Sequence, residues 1–292
     1  MPVLKPRGFT LVELLVGLLL LGIISVGIYR VLVKNQQLYL TQGQKMDVAQ
    51  NLRAASAILP AELREIDAAD GDIIGMGSDS IRIRAYRVFG IVCTPPVLGG
   101  ALTSLALNVR KSLTFGVRGF QAGDSVLIFY EGDSTKRADD TWAQGVLSNA
   151  APTTSTCPTD LKPSWLMTVS LAAGTWANTA GSMLTGTPVR AFETITYKNV
   201  QGSDGNYYLS YRNSSGLTPL VGPLTSTGLT FAYYDSTGAV TATAANVKRI
   251  RIALAYQSAQ QVRQANGSIG SILQSDTLQV TLRNNARPLT GS

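Results

Sequence analysis

A single carboxylate, that of Glu13, lies in an otherwise apolar run that extends from Phe9 to Tyr29. An ionised carboxylate in hydrocarbon costs at least about 2.5 kcal/mol, so an acid at this position indicates a function unless it has a partner. Cleavage between Gly8 and Phe9 would create that partner, because the new α-amine would carry a positive charge close to Glu13. The amine could come from the same helix. It could also come from a neighbouring subunit, and the pair would then set the axial register between the two helices. Attraction between the two charges would be strong in apolar surroundings.

The apolar run itself predicts a membrane-spanning helix. It contains no charge from Leu14 to Tyr29, and at about 1.5 Å of rise per residue it can cross a hydrocarbon core of about 30 Å. Lys5 and Arg7 precede it and would stay cytoplasmic by the positive-inside tendency. The rest of the chain would then lie on the other side of the membrane.

Two simpler interpretations of the run fit less well. A secretory signal peptide would end in a small-x-small cleavage site after its apolar core. Ser25-Val26-Gly27 could serve, but more apolar residues follow it at once. A plain membrane anchor explains the apolar run, but it explains neither Glu13 nor the glycine at the polar–apolar boundary.

The segment Arg7-Gly8-Phe9-Thr10-Leu11-Val12-Glu13, with its basic leader and apolar helix, resembles the class III signal of type IV prepilins and type II secretion pseudopilins. In those families a membrane-embedded prepilin peptidase cuts after the glycine and methylates the new N-terminal phenylalanine, and the glutamate directs assembly. The resemblance therefore implies cleavage between Gly8 and Phe9, N-methylation of Phe9, and a role for Glu13 in assembly and register.

The C-terminal third extends the resemblance to PilW-like minor pilins and J-type pseudopilins. The segments that carry it are LTFAYYD at 229–235, VKRIRI at 247–252 and LQVTLRN at 278–284. They imply the β-sheet of such a head. Residues 95–188 match no such pattern and are interpreted as insertions and long loops on that sheet.

Hydrophobic periodicity predicts an α+β fold. A helical stripe follows the membrane segment at Val48, Leu52, Ala55, Leu59, Leu63 and Ile66, which would lay one helix face on a globular head. Strand patterns then follow at 80–92, 112–117, 125–130, 165–171, 189–200, 207–212, 229–234, 249–256 and 277–282. We expect a leader at 1–8, a transmembrane and assembly half of the helix at 9–33, an amphipathic half at 34–70 and a β-rich head at 71–292. The head would be an antiparallel sheet packed on the helix.

The sequence has only two cysteines, Cys93 and Cys157, both beyond the membrane segment. An exported head lies in an oxidising compartment, which favours a disulfide between them. Closing a loop of about 65 residues would stabilise the fold by about 4 kcal/mol in the chain-entropy model. Two buried free thiols are the alternative.

Residues for catalysis, cofactor binding or metal binding are not indicated. The chain has no histidine, which excludes a Ser-His-Asp triad, a Cys-His pair and a histidine-containing zinc site. Two acidic clusters carry the oxygen ligands that calcium prefers, but their spacing fits no EF-hand loop. They are Asp67, Asp70, Asp72 and Asp79, and Asp133, Asp139 and Asp140. We interpret both as solvated turns.

The sequence predicts a non-enzymatic minor pilin that helps to initiate or cap a type IV pilus in support of motility, adhesion or DNA uptake. The alternatives are a minor pseudopilin of a type II secretion system and a membrane-tethered head that binds a ligand or DNA. The expected partners are prepilin peptidase, other minor and major pilins, and the inner membrane. Before assembly the head would lie in the periplasm, and afterwards in the pilus. The net charge of +7 fits solubility, or contact with anionic lipid or DNA.

Overall fold

The computed structural model describes residues 10–94, 104–130, 135, 141–148, 153–171, 184–264 and 267–283. One long helix, α1 (Leu11–Arg64), precedes a head of strands. The strands are β1 (Ile73–Met76), β2 (Ser80–Thr94), β3 (Ser104–Arg110), β4 (Phe115–Gly116), β5 (Ser125–Tyr130), β6 (Thr141–Leu147), β7 (Thr153–Thr156), β8 (Pro163–Leu171), β9 (Pro188–Gln201), β10 (Tyr207–Asn213), β11 (Gly216–Tyr234), β12 (Arg249–Gln257), β13 (Val262–Arg263), β14 (Ile269–Gly270) and β15 (Leu273–Thr281).

In the part of the chain that the structure describes, α1 packs on the head through its C-terminal part. The predicted stripe is confirmed, since Val48, Ala55, Leu59 and Leu63 are buried and Leu52 is partly buried against the same core. Ile66, the last member of the stripe, is buried just beyond the end of the helix. The spacing of three and four residues places these side chains on one face, which is why this part of the helix can lie on a sheet.

An antiparallel sheet in the order β1-β2-β9-β10-β11-β12-β15 covers that face of the helix. Its strands alternate as predicted: Ile81 and Ile83 are buried in the core shared with α1, whereas Arg82 between them is exposed. Ile250 and Ile252 repeat the pattern in β12. The α+β class and the packing of helix on sheet are therefore confirmed.

The prediction of a plain sheet with long loop insertions is wrong. In the described part of residues 95–188, strands β3, β5, β6 and β8 join the ends of β2 and β9 to close a ring, in the order β2-β3-β8-β6-β5-β9 and back to β2. Every pairing in this ring is antiparallel. The result is a small barrel built on the end of the sheet.

The interior of the barrel forms a second apolar core. It is filled by Val88, Val92, Leu105, Leu107, Val109, Phe120, Val126, Ile128, Ala143, Leu147, Met167, Val169, Val189 and Ala191. These side chains alternate along the strands with outward-facing ones, as in other small closed barrels. Closure pairs the strand edges that an open insertion would leave free.

The long strands β2 and β9 connect the two parts. They pair with each other from Ser80 opposite Lys198 to Ile91 opposite Pro188, with a bulge between Tyr86 and Val88. On its other edge β9 pairs first with β5 and then with β10. The same two strands thus belong to the barrel at one end and to the helix-covered sheet at the other.

One predicted strand, at 112–117, is largely wrong. Only Phe115–Gly116 is a strand, and a 3₁₀ turn occupies Lys111–Leu113. The apolar side chains of Leu113, Phe115 and Val117 are all exposed. The alternating apolar pattern at these positions therefore does not correspond to a buried face of the sheet.

Candidate assembly interface

The helix α1 begins in a capping box made by Thr10 and Glu13. The backbone N–H of Glu13 donates to Oγ1 of Thr10 at 3.2 Å, and Oε2 of Glu13 accepts from the backbone N–H of Thr10, also at 3.2 Å. The Thr10 hydroxyl donates to the same carboxylate oxygen. The box satisfies N–H groups that a helix start otherwise leaves unpaired. Glu13 thus has a structural role that the sequence analysis did not predict, although the threonine three residues before it signals such a box.

The predicted cleavage site at Gly8 and Phe9 lies outside the described residues. The first described residue, Thr10, is the N-cap of α1 and follows directly on Phe9. An α-amine at Phe9 would therefore arise next to the capping box that holds Glu13. Cleavage at Gly8, N-methylation of Phe9 and pairing of the amine with Glu13 stay predictions.

None of the residues that the structure describes buries the N-terminal part of α1 up to residue 32. All side chains from residue 10 to residue 32 are exposed, most of them large and apolar. By length and composition α1 can cross a membrane, and no part of its most apolar stretch is buried. An apolar surface of this extent requires lipid or the helices of neighbouring subunits to cover it.

Polar contacts fix the second half of α1 to the head. The side-chain amide of Asn51 donates to the carbonyl of Gly222 at 2.6 Å, and the backbone N–H of Gln260 donates to the Gln44 side chain at 3.3 Å. At the helix end, the backbone N–H of Arg283 donates to the carbonyl of Arg64 at 2.8 Å. The head is thereby held at both ends of the buried helix face.

An ion-pair network joins the helix to the sheet and the barrel. Arg87 of β2 lies 3.0 Å from Glu62 of α1 and 3.7 Å from Glu193 of β9. Arg118 binds Glu193 at 2.9 Å and Asp124 through two hydrogen bonds of 2.7 and 2.8 Å. Burial alone would raise the pKa of Glu193, but its hydrogen bond to Arg118 and the charge of Arg87 hold that pKa below its ordinary value. The network spans more than 100 residues of sequence, so no local pattern predicts it.

The first acidic cluster is a turn, but it is not fully solvated as predicted. The side chain of Asp72 is completely buried, and it accepts hydrogen bonds from the Asp67 backbone at 2.9 Å and the Tyr86 hydroxyl at 2.8 Å. Burial raises the pKa of Asp72, although both hydrogen bonds favour its ionised form. The carboxylate thus organises the turn that leads from α1 into β1.

Metal binding gains no support in the part of the chain that the structure describes. No group of three histidine, cysteine or acidic side chains is close enough there to hold an ion. The second cluster, Asp133, Asp139 and Asp140, lies outside the described residues.

The predicted disulfide between Cys93 and Cys157 is present, with the two Cα atoms 5.8 Å apart. It joins the end of β2 to the connection between β7 and β8. Both cysteines are almost completely buried. The bond therefore closes a covalent loop around strands of the barrel.

Comparison with known families supports the interpretation of the N-terminus. Residues 4–29 match the family described as the prokaryotic N-terminal methylation motif. The match covers Gly8, Phe9 and Glu13, and it confirms that the chain carries a class III prepilin signal ahead of an apolar helix. No curated protein and no solved structure matches the chain. The motif supports a protein of the type IV pilin or pseudopilin type.

Proposed function

We propose that this protein is a minor pilin that helps to initiate or cap the assembly of a type IV pilus. The observation that carries the proposal is the methylation motif at residues 4–29 on a helix whose apolar stretch from residue 11 to residue 32 is wholly exposed. In a protein with a prepilin signal, such a helix lies in the inner membrane before assembly and packs against the helices of other subunits afterwards. The barrel adds bulk to the head, which favours a position at the end of a fibre over repeated packing along it.

Glu13 would have two successive partners in this assembly. In the uncut chain its carboxylate is held by Thr10 in the capping box. After cleavage, the amine of Phe9 on an incoming subunit would bring a positive charge to the same carboxylate in apolar surroundings, where an unpaired charge is unfavourable. Pairing between staggered helices would fix their register.

Three substitutions separate the charge of Glu13 from its capping role. Glu13→Ala removes both. Glu13→Gln keeps a residue that can complete a capping box but has no charge. Thr10→Ala removes the threonine hydroxyl from the box and leaves the charge.

Surface pili should be counted by electron microscopy and by immunoblot of sheared fibres, with the membrane level of each variant measured in parallel. We expect Glu13→Ala and Glu13→Gln to lose most pili at unchanged membrane levels, whereas Thr10→Ala keeps most of them. Normal piliation of Glu13→Gln would show that the charge has no part in assembly. Loss in Thr10→Ala alone would assign the role to helix capping.

The same signal is found on secretion pseudopilins, so deletion of the whole chain is the second test. The proposal requires that deletion reduces surface pili and leaves the secretion of exoproteins intact. The reverse result would identify a pseudopilin of a type II secretion system. Normal pili and normal secretion would leave a membrane-tethered binding head as the function.

A further inference from the structure

A cleft of about 760 Å³ opens where the barrel and the helix-covered sheet diverge. Its position follows from β9, which pairs with β5 up to Phe192 and with β10 from Thr196 onward. Between these two residues, Glu193, Thr194 and Ile195 have no strand partner on that edge among the residues that the structure describes. One wall is the loop before β5, and the other is the turn between β10 and β11. The cleft therefore contains a short free strand edge at its floor.

Two arginines supply positive charge to this cleft. Arg82 of β2 and Arg212 of β10 both lie opposite Thr196 of β9, one on each side, so their side chains leave the same face of the sheet. Strand spacing puts their Cα atoms about 10 Å apart. Both side chains line the cleft and are exposed, and neither forms an ion pair with any residue that the structure describes.

The remaining charges of the cleft are already engaged with one another. Arg118 binds Asp124 and Glu193, and Glu193 also lies 3.7 Å from Arg87. These groups are largely neutralised by their neighbours and stiffened by several hydrogen bonds. Among the described residues that line the cleft, Arg82 and Arg212 therefore remain as the cations available to a ligand.

We propose that the cleft binds an extended acidic segment of a partner protein. A carboxylate of that segment would lie between Arg82 and Arg212, since guanidinium groups bind carboxylates through paired, charge-assisted hydrogen bonds. The backbone of the segment would pair with the free edge of β9 at Thr194, as peptides do when they add to an exposed strand. The free edge is what favours a peptide over other anions, because it presents N–H and C=O groups at strand spacing. This binding goes beyond the assembly role of the helix and does not depend on Glu13.

The test uses the full-length protein in detergent and a fluorescein-labelled hexapeptide of alternating Asp and Val residues. A peptide with Asn at every Asp position is the neutral control. Binding is followed by fluorescence anisotropy. Arg82→Gln with Arg212→Gln removes both free cations of the cleft. Arg249→Gln with Arg251→Gln removes the same charge from the same sheet face, where both arginines stack near Tyr234 outside the cleft.

We expect the acidic peptide to bind at least about tenfold more weakly to the Arg82/Arg212 variant, and less than about twofold more weakly to the Arg249/Arg251 variant, because only the first pair contacts the ligand. Ser214→Trp, which narrows the cleft without changing its charge, should also weaken binding. The Asn peptide should bind no better to the unaltered protein than the acidic peptide binds to the Arg82/Arg212 variant.

Several results would overturn this assignment. Equal losses in the two arginine variants would show attraction to the cationic face and no specific site. Equal binding of the Asn peptide would exclude carboxylate recognition. Tighter binding of a uronic-acid oligosaccharide of matched charge would show that the ligand of the cleft is a sugar acid and not a peptide. Failure of the acidic peptide to bind at millimolar concentration would exclude the site.

Discussion

The guanidinium of Arg87 lies 3.0 Å from the carboxylate of Glu62, which joins β2 to the long helix. Arg87 stands at the bulge of β2, between the paired residues Tyr86 and Val88. Its second partner, Glu193, is in turn bound by Arg118 at the base of the barrel. One run of half-buried ion pairs thus links the helix, the sheet and the barrel.

Arg87→Met should therefore destabilise the head. The substitution keeps an unbranched apolar stem but leaves Glu62 without its partner and weakens the hold on Glu193. We expect the free energy of unfolding to fall by about 2 kcal/mol, the range for charged hydrogen bonds that are partly shielded from water. Urea unfolding of the full-length protein in detergent measures it.

Arg53→Met is the control for this loss. Arg53 is exposed on the same helix and forms no ion pair with a described residue, so its removal should change stability by less than about 0.5 kcal/mol. Equal losses in the two variants would mean that the Arg87 pairs add nothing beyond general charge.

The lowered pKa of Glu193 predicts a pH dependence. A carboxyl whose folded pKa lies below its unfolded value stabilises the fold above the unfolded pKa, and that stabilisation is lost as the pH falls through the folded pKa. The difference in unfolding free energy between the unaltered protein and Glu193→Gln should therefore be largest near pH 7. It should shrink below the ordinary glutamate pKa of about 4.3.

Urea unfolding at intervals between pH 3 and pH 7 checks this dependence. Comparison with the variant at each pH removes the contribution of Asp72, whose raised pKa acts in the opposite direction. A difference that is constant across the range would contradict ionic stabilisation by Glu193.

The features that the sequence predicts correctly are those written in local patterns. The buried stripe from Val48 to Leu63 repeats every three or four residues, and strands such as β5 and β12 show clear alternation or a short apolar run bounded by turns. The cysteine pair needed only the count of two and an oxidising compartment. Each of these signals is contained in a few neighbouring residues or in the composition.

The barrel and the cleft depend on contacts that no local pattern contains. The strands β6 and β7 are rich in Thr, Ala, Ser and Gly, residues that are as frequent in loops as in strands. Closure requires β2 to pair with β9 across about 100 residues of chain, and β9 reads as one uninterrupted strand although it changes partner at Glu193. Arg82 and Arg212 come to the same sheet face only because β2 and β10 both pair with β9 at Thr196.

The disulfide between Cys93 and Cys157 should contribute strongly to stability, because it closes a loop between cysteines that are 64 positions apart in the sequence. Replacing both cysteines by serine should lower the unfolding free energy by about 4 kcal/mol in the chain-entropy model. Without denaturant both positions should resist alkylation even when reductant is present, since both are buried. Peptide mass mapping under non-reducing conditions identifies the bond, and two cysteines that become alkylated after denaturation without reductant would contradict it.

Processing of the N-terminus is predicted by the methylation motif at residues 4–29. Mass spectrometry of the protein extracted from membranes should give a mature chain that begins at Phe9 and carries one added methyl group. Gly8→Leu should block this cleavage and still allow insertion, because it leaves the apolar run unchanged. Recovery of a chain that begins at Met1, or after Gly27, would contradict a prepilin signal.

Gly116 of β4 lies against the bulge of β2 that contains Arg87, and a side chain at position 116 should destabilise the head there. The backbone of β4 lies so close to β2 that a Cβ atom at position 116 would be 2.2 Å from the carbonyl oxygen of Arg87 and 2.7 Å from Cα of Val88. Both are backbone atoms, so no side-chain rotation can relieve the overlap. The neighbouring hydrogen bond from the backbone N–H of Val117 to the Arg87 carbonyl, at 3.0 Å, fixes the approach.

Gly116→Ala should therefore lower the unfolding free energy by about 1–3 kcal/mol, the usual cost of forcing extra atoms into a close-packed site. Gly119→Ala is the matched control, because a Cβ there meets no atom within 4 Å; it should leave stability nearly unchanged in the same urea titration. If the Gly116 substitution acts by displacing Arg87, its effect should be less than additive with Arg87→Met, since both changes weaken the same ion pairs. Full additivity in the double variant would show that the close approach of β4 and the ion pairs of Arg87 stabilise the head independently.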